Sequence, residues 1–269
     1  MEKKGGFSSV GYPAIFILLV CAIGAVSADT IVINAIYDAY AMEGTDANWA
    51  TIRADAGDST DATSIYVYAG YTQSTTTSDV YTYHRRAIVT WNTSVIPAGS
   101  SIDSAIVSLD GAGQVNGLGS LDASIIDTSV ANPRSVVAGD YDATTFTRMA
   151  DDIAYASYST GWNNWTLNAA GLAKINITGD TSFMFTHSAD TDNSALAWAS
   201  AATSGYQYSN ETSSTPPRLI ITYTAGTPTP TPTPTTTTAG SGTTDDMLAP
   251  GILLGVMAGL IIMTTRKKP

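Results

Sequence analysis

Two stretches of the chain concentrate side chains that could hold a metal ion. Asp55, Asp58 and Asp61 fall within seven residues, and Asp190 and Asp192 flank Thr191. Both stretches read as loops. Calcium takes six to eight oxygen ligands in irregular geometry, so runs of this kind suit it. Neither run has EF-hand spacing, and the ordinary alternative is a solvated turn. A structural calcium ion is the one cofactor the sequence suggests.

A second set of residues suits sugars. A flat aromatic ring can cover the apolar face of a pyranose. Tyr66 and Tyr68 alternate along one strand face, as do Tyr81 and Tyr83, and Trp162 and Trp165 lie close together. Tyrosine is half polar, which places the Tyr66/Tyr68 face outward. The competing use of such rings is core filling or cross-strand pairing. Four sequons, at Asn92, Asn164, Asn176 and Asn210, are acceptors for N-linked sugars on a secreted chain. Asn210 has the most loop-like surroundings of the four.

Catalytic signatures are sparse. The sole cysteine, Cys21, lies in the N-terminal apolar segment, and the two histidines, His84 and His187, sit in strand contexts. No Gly-x-Ser-x-Gly elbow or His-Glu-x-x-His pair occurs. Two carboxylates at the right separation suffice for a glycosidase, and an aspartate-rich chain can supply them.

The elements that must position these residues are strands. Short alternating segments punctuated by Gly, Asp, Asn and Ser occupy residues 64–69, 80–91, 104–109, 120–126, 162–167, 183–187 and 218–224. One helical turn is expected at residues 169–175, with Leu172 and Ile175 inward. The pattern predicts an all-β fold, a jelly-roll β-sandwich over residues 29–224. Val89, Trp91, Ile106, Leu109, Leu219 and Ile221 should lie inside. Pro97 and Gly99 should reverse the chain, so that the strands on either side pair antiparallel.

The two ends look like addresses. Residues 1–28 carry Lys3 and Lys4, an apolar core and the small residues Ala25-Val26-Ser27-Ala28, as a cleaved secretory signal does. Residues 225–246 form a Thr/Pro-rich linker containing four Thr-Pro pairs, an extended spacer. Residues 247–265 are apolar and would span about 28 Å as a helix, enough for a bilayer. The basic tail 266–269 places the C-terminus in the cytoplasm. The expected location is the cell surface, held by this single C-terminal transmembrane helix.

Between residues 29 and 246 stand 22 Asp and Glu against 7 Lys and Arg, a net charge of −15. Such a surface disfavours nucleic acid and other polyanions. With no cysteine after the signal, stability must come from a packed core rather than disulfides. The expected partners are the membrane and an extracellular glycan or surface-layer component. The expected function is a non-enzymatic cell-surface protein on a stalk, for adhesion, glycan binding or the cell envelope. A membrane-tethered polysaccharide-degrading enzyme is the alternative.

Two segments carry a family resemblance. Residues 86–109 run from an Arg-led apolar strand through Ile96-Pro97-Ala98-Gly99 to Ile102, Ala105 and a second apolar strand. Pro216-Pro217-Arg218-Leu219-Ile220-Ile221-Thr222-Tyr223 ends the domain. Together they resemble DNRLRE-type domains, although the name-giving Asp-Asn-Arg-Leu-Arg-Glu string is absent. The resemblance implies a carbohydrate-binding-module-like jelly roll, usually non-catalytic. The tail resembles archaeal PGF-CTERM sorting signals, with Pro250-Gly251-Ile252 where those have Pro-Gly-Phe.

Overall fold

The structure, a computed structural model, describes residues 27–117 and 121–226. All but the last two residues of the signal segment lie outside the described residues, as do most of the Thr/Pro linker, the apolar segment 247–265 and the basic tail. Among the described residues no helix is long and apolar enough to cross a membrane.

The fold is all-β. Ten strands follow in chain order: β1 (Ala28–Glu43), β2 (Ser59–Asp61), β3 (Tyr66–Gln73), β4 (Tyr81–Asn92), β5 (Ser101–Asn116), β6 (Ala123–Ile126), β7 (Gly161–Thr166), β8 (Asp180–His187), β9 (Thr203–Ser209) and β10 (Arg218–Thr224). Short helices α1 (Trp49–Ala54), α2 (Ala169–Ala173) and α3 (Ser188–Thr191) fill the connections. Every pairing among the strands is antiparallel. The pairings β1–β10–β5–β9–β3–β4 return through β4–β1, so the sheet closes on itself. Three long strands make this closure possible, because each serves different neighbours along its length. On one side of β4, for example, β3 pairs with its first half and β8 with its second.

The main core lies inside the ring. Val89, Trp91, Leu109, Leu219 and Ile221 are fully buried, as their alternation predicts. Ile106 is not inside. In β5 the inward positions are Ala105, Val107 and Leu109, and Ile106 falls on the opposite, half-buried face. A side chain there needs only partial cover, which isoleucine tolerates. The opposite face of β4 is also buried: Ile88 packs with Ile126, Val136, Tyr141 and Met184 in a second cluster. The helical turn forms as α2, with Ile175 buried and Leu172 packed on the core.

The Ile96–Gly99 segment corrects the expected hairpin. A turn is present, with Pro97 C=O accepting from Ser100 N–H at 3.2 Å and Gly99 at φ +79°. Yet β4 and β5 do not pair. β1 and β10 lie between them, in the order β4–β1–β10–β5. Residues 93–100 are too many for a tight hairpin, and they carry the chain over two strands instead. β1, β2 and β9, which the alternation did not single out, supply the missing pairings.

Candidate functional site

Five strands present a groove on one face. The registers place Met42 of β1, Arg85 of β4, Gly70 of β3, Gly205 of β9 and Val115 of β5 in one cross-strand row. The next row holds Tyr68, Gln207 and Gly113. Gly70 and Gly205 face one another directly. A Cβ on Gly70 would lie 2.4 Å from the Ser204 carbonyl oxygen and 2.6 Å from Gly205 Cα, so no other residue fits there. With no side chains above them, these glycines form the floor of a shallow depression of about 40 Å³. Tyr68, Arg85, Val115 and Gln207 rise around it.

Arg85 is the centre of this surface. Its guanidinium sits 5.6 Å from the Tyr40 ring, 5.8 Å from Tyr68 and 5.3 Å from Tyr83. Tyr40 and Tyr68 meet edge to face at 5.7 Å. The ring quadrupoles hold the cation in place. Among the described residues Arg85 makes no ion pair, and its buried Nε has no hydrogen-bond partner. Buried donors are normally satisfied; here three tyrosine faces take the place of an acceptor.

A β-bulge determines which tyrosines reach this surface. Gln73 pairs with Tyr81 and Thr72 with Tyr83, so Thr82 is the extra residue. The bulge turns Tyr81 inward, 2 % exposed, and leaves Tyr83 outward, 38 % exposed. The two therefore do not share a face, contrary to simple alternation. Tyr66 and Tyr68 do share the outer face, as expected, with Tyr66 37 % exposed. The tryptophans separate. Trp165 is core, its Nε1–H bonded to the Ala123 carbonyl at 3.2 Å. Three residues away on the strand, Trp162 faces out and stacks on Arg218 at 4.1 Å. Trp165 is thus unavailable to a ligand.

The five aspartates are dispersed. Asp58 accepts from Gly44 N–H and the Thr45 hydroxyl, both at 3.0 Å. Asp61 accepts from Thr63, Ser64 and the Tyr40 hydroxyl, and Asp55 caps Ala56 N–H at 2.8 Å. Asp192 pairs with Arg148 at 2.8 Å. Asp190 does not stand in an open loop: it is fully buried, accepting from Arg86 Nε and Nη2 at 2.8 Å each and from the Thr186 hydroxyl at 2.7 Å. Among the described residues no three carboxylates or histidines converge on a metal-sized site.

That buried network contains both histidines, and its tautomers follow from its ends. The Asp190 backbone N–H donates to His187 Nδ1 at 3.2 Å. His187 must then carry its proton on Nε2 and donate it to His84 Nε2, 3.2 Å away. At the other end Tyr141 donates its hydroxyl proton to the Ile52 carbonyl at 2.6 Å. His84 Nδ1–H therefore donates to the Tyr141 oxygen at 2.5 Å. Both rings are neutral. Burial holds the His187 pKa down to about 4 and His84 well below the ordinary histidine value. The chain of hydrogen bonds ties α1, α3, β4, β8 and the Tyr141 turn together, and part-exposed Arg53, whose Nε–H donates to the Asp190 carbonyl at 2.8 Å, stands at its edge.

A carboxyl pair, Asp38 buried and Glu211 half-buried, joins β1 to the β9–β10 loop. Asp38, 2 % exposed, accepts the Glu211 N–H at 2.6 Å and lies against the Glu211 carboxyl. Burial, followed by the Glu211 carboxyl, pushes the Asp38 pKa up to about 8.

The sequons divide by accessibility. Asn164 and Asn176 are exposed, Asn92 is half-buried at the end of β4, and Asn210 is buried. Asn210 Nδ2 donates to the Ser64 carbonyl at 3.0 Å. The loop-like context of Asn210 hid this contact, because its partner lies 146 residues away. The sequence reading also passed over Arg85 and the facing glycines, whose shared location depends entirely on strand register. Compared with family models and with curated proteins, the chain matches none.

Proposed function

We propose that this is a non-enzymatic glycan-binding protein displayed at the cell surface, with the Tyr40–Tyr68–Tyr83–Arg85 groove as its sugar site. The observation that carries the reading is a ring of tyrosines about an arginine with no acceptor among the described residues, beside a floor of glycine. Aromatic rings offer stacking faces for a pyranose, while Arg85 and Gln207 offer donors to its hydroxyls. The closed antiparallel ring, with β1 and β10 inserted between β4 and β5, fits a jelly roll of the carbohydrate-binding-module type that the DNRLRE-like segments suggest.

Strand direction supports display. Ala28, Ser101 and Thr224 meet at one pole. Met42 and Val115, in the groove row, stand fourteen residues further along β1 and β5. At about 3.3 Å per residue that is roughly 45 Å. Thr224, which ends β10, therefore lies at the pole far from the groove.

The test is a glycan array on the soluble domain, residues 29–224, with a reducing-sugar assay on the same glycans. Binding without turnover is expected. Tyr68→Ala and Arg85→Ala should each weaken it at least tenfold, about 1.4 kcal/mol, with an unchanged melting temperature. Turnover would favour the tethered polysaccharide-degrading enzyme, and neither binding nor turnover would leave a purely structural envelope role.

A further inference from the structure

Asn164 stands in β7 between Trp162 and Thr166. All three side chains are exposed, while Asn163 and Trp165 are buried, because alternate residues of a strand share a face. β7 pairs only with β5, so it forms an edge of the sheet. The acceptor amide, the sequon hydroxyl and an indole thus lie side by side on open surface. Asn164 makes no side-chain hydrogen bond within the described chain. Trp162 is 36 % exposed and is steadied by Arg218, 4.1 Å from its ring centroid. Two residues along a strand set the Cα atoms of Asn164 and Trp162 about 7 Å apart on the same face, a spacing that one pyranose can bridge.

Asn176 is accessible for a different reason. It follows α2 in an exposed connection, and its Oδ1 accepts both the N–H of Thr178 at 3.1 Å and its hydroxyl at 2.8 Å. The sequon is closed on itself, and Nδ2 makes no hydrogen bond within the described chain. Asn210 also accepts its sequon hydroxyl, from Thr212 at 3.1 Å, but it is 8 % exposed and its Nδ2 is bonded to the Ser64 carbonyl.

We propose that Asn164 and Asn176 carry N-linked glycans, that the first sugar on Asn164 rests against Trp162, and that Asn210 stays unmodified. The inference rests on display of the domain outside the cytoplasm. The donor is a polyprenyl-phosphate-linked sugar. Its bond from C1 to the phosphate oxygen breaks, the C1–Nδ2 bond forms, and the amide gives up one proton as the polyprenyl phosphate departs.

The full-length protein is recovered from the membranes of its native cells, and its glycopeptides are mapped by mass spectrometry. Sugar is expected on Asn164 and Asn176 and none on Asn210. Asn164→Gln and Asn176→Gln should each remove one glycan mass. An unmodified Asn164 or Asn176, or a modified Asn210, overturns the assignment. Trp162→Ala should leave Asn164 occupied but lower the melting temperature of the glycosylated chain by about 2–4 °C more than that of the same variant made without glycosylation. Equal shifts in the two forms would rule out the sugar–indole contact. Protease digestion of intact cells separates the two readings. A chain that is accessible but unmodified refutes this inference alone, whereas an inaccessible chain refutes display.

Discussion

Asp38 and the two histidines make opposite demands on pH. Asp38 keeps its proton in the fold up to about pH 8, whereas an unfolded aspartate loses it near 3.8. Between those values the native state binds more protons, so stability falls as pH rises. His84 and His187 are neutral in the fold and protonate near 6.5 when unfolded. Between about pH 4 and 6.5 the unfolded state therefore binds more protons, and stability rises with pH. The two histidines outweigh the single aspartate below pH 6.5, and the aspartate acts alone above it. Denaturant unfolding should show maximal stability near pH 6.5 and a loss of up to about 2 kcal/mol by pH 8. Asp38→Asn, which mimics the protonated acid, should abolish the loss above pH 6.5 and leave the acid limb intact. An alkaline decline that survives in the variant would show that another group is responsible.

At the scale of the element, the groove depends on β3 and β9 approaching without side chains between them. Gly70→Ala places a methyl 2.4 Å from the Ser204 carbonyl oxygen, a backbone atom that cannot swing away. The two strands must separate, at a cost of about 1–3 kcal/mol. Thermal melts should show this loss for Gly70→Ala and for Gly205→Ala, whose methyl meets the Ala69 carbonyl oxygen at 2.4 Å. Gly139→Ala, with nothing within 4 Å of its Cβ, should fall within about 0.5 kcal/mol of the parent chain. If Gly70→Ala melts like Gly139→Ala, β3 and β9 are not locked together as described. The Thr82 bulge is a second device of this kind. By shifting register by one residue it assigns Tyr81 to the interior and Tyr83 to the groove.

For the whole molecule, the acidic charge and the proposed anchor make separate predictions. Residues 29–246 carry −15, and among the described residues few of these charges are paired with cations. Self-repulsion of that size weakens a compact state and is screened within about 10 Å at 0.1 M salt. The melting temperature should therefore climb as NaCl is raised from 10 mM to 1 M, and a flat or falling curve would mean that the repulsion is already relieved locally. If residues 247–265 anchor the chain, truncation before Met247 should move the protein from the membrane fraction to the medium. A truncated chain that still sediments with membranes would exclude that anchor.

What the sequence determined by itself was local. Alternation marked seven strands, the inward faces of β4 and β10, the turn at Pro97 and the α2 turn, because the burial period of an element is written in neighbouring residues. It missed β9, whose inward positions are two tyrosines among Gly and Ser, and β1, whose pattern shifts phase at a bulge between Ala35 and Tyr37. Only the tertiary structure decided the rest. Asp190 reads as a loop ligand until Arg86, 104 residues away, takes its carboxylate. Asn210 reads as open until Ser64 closes on it, and Arg85 acquires its tyrosines from three separate strands. A side chain's type limits what it can do. Which groups surround it depends on register between distant strands, and no local pattern encodes that.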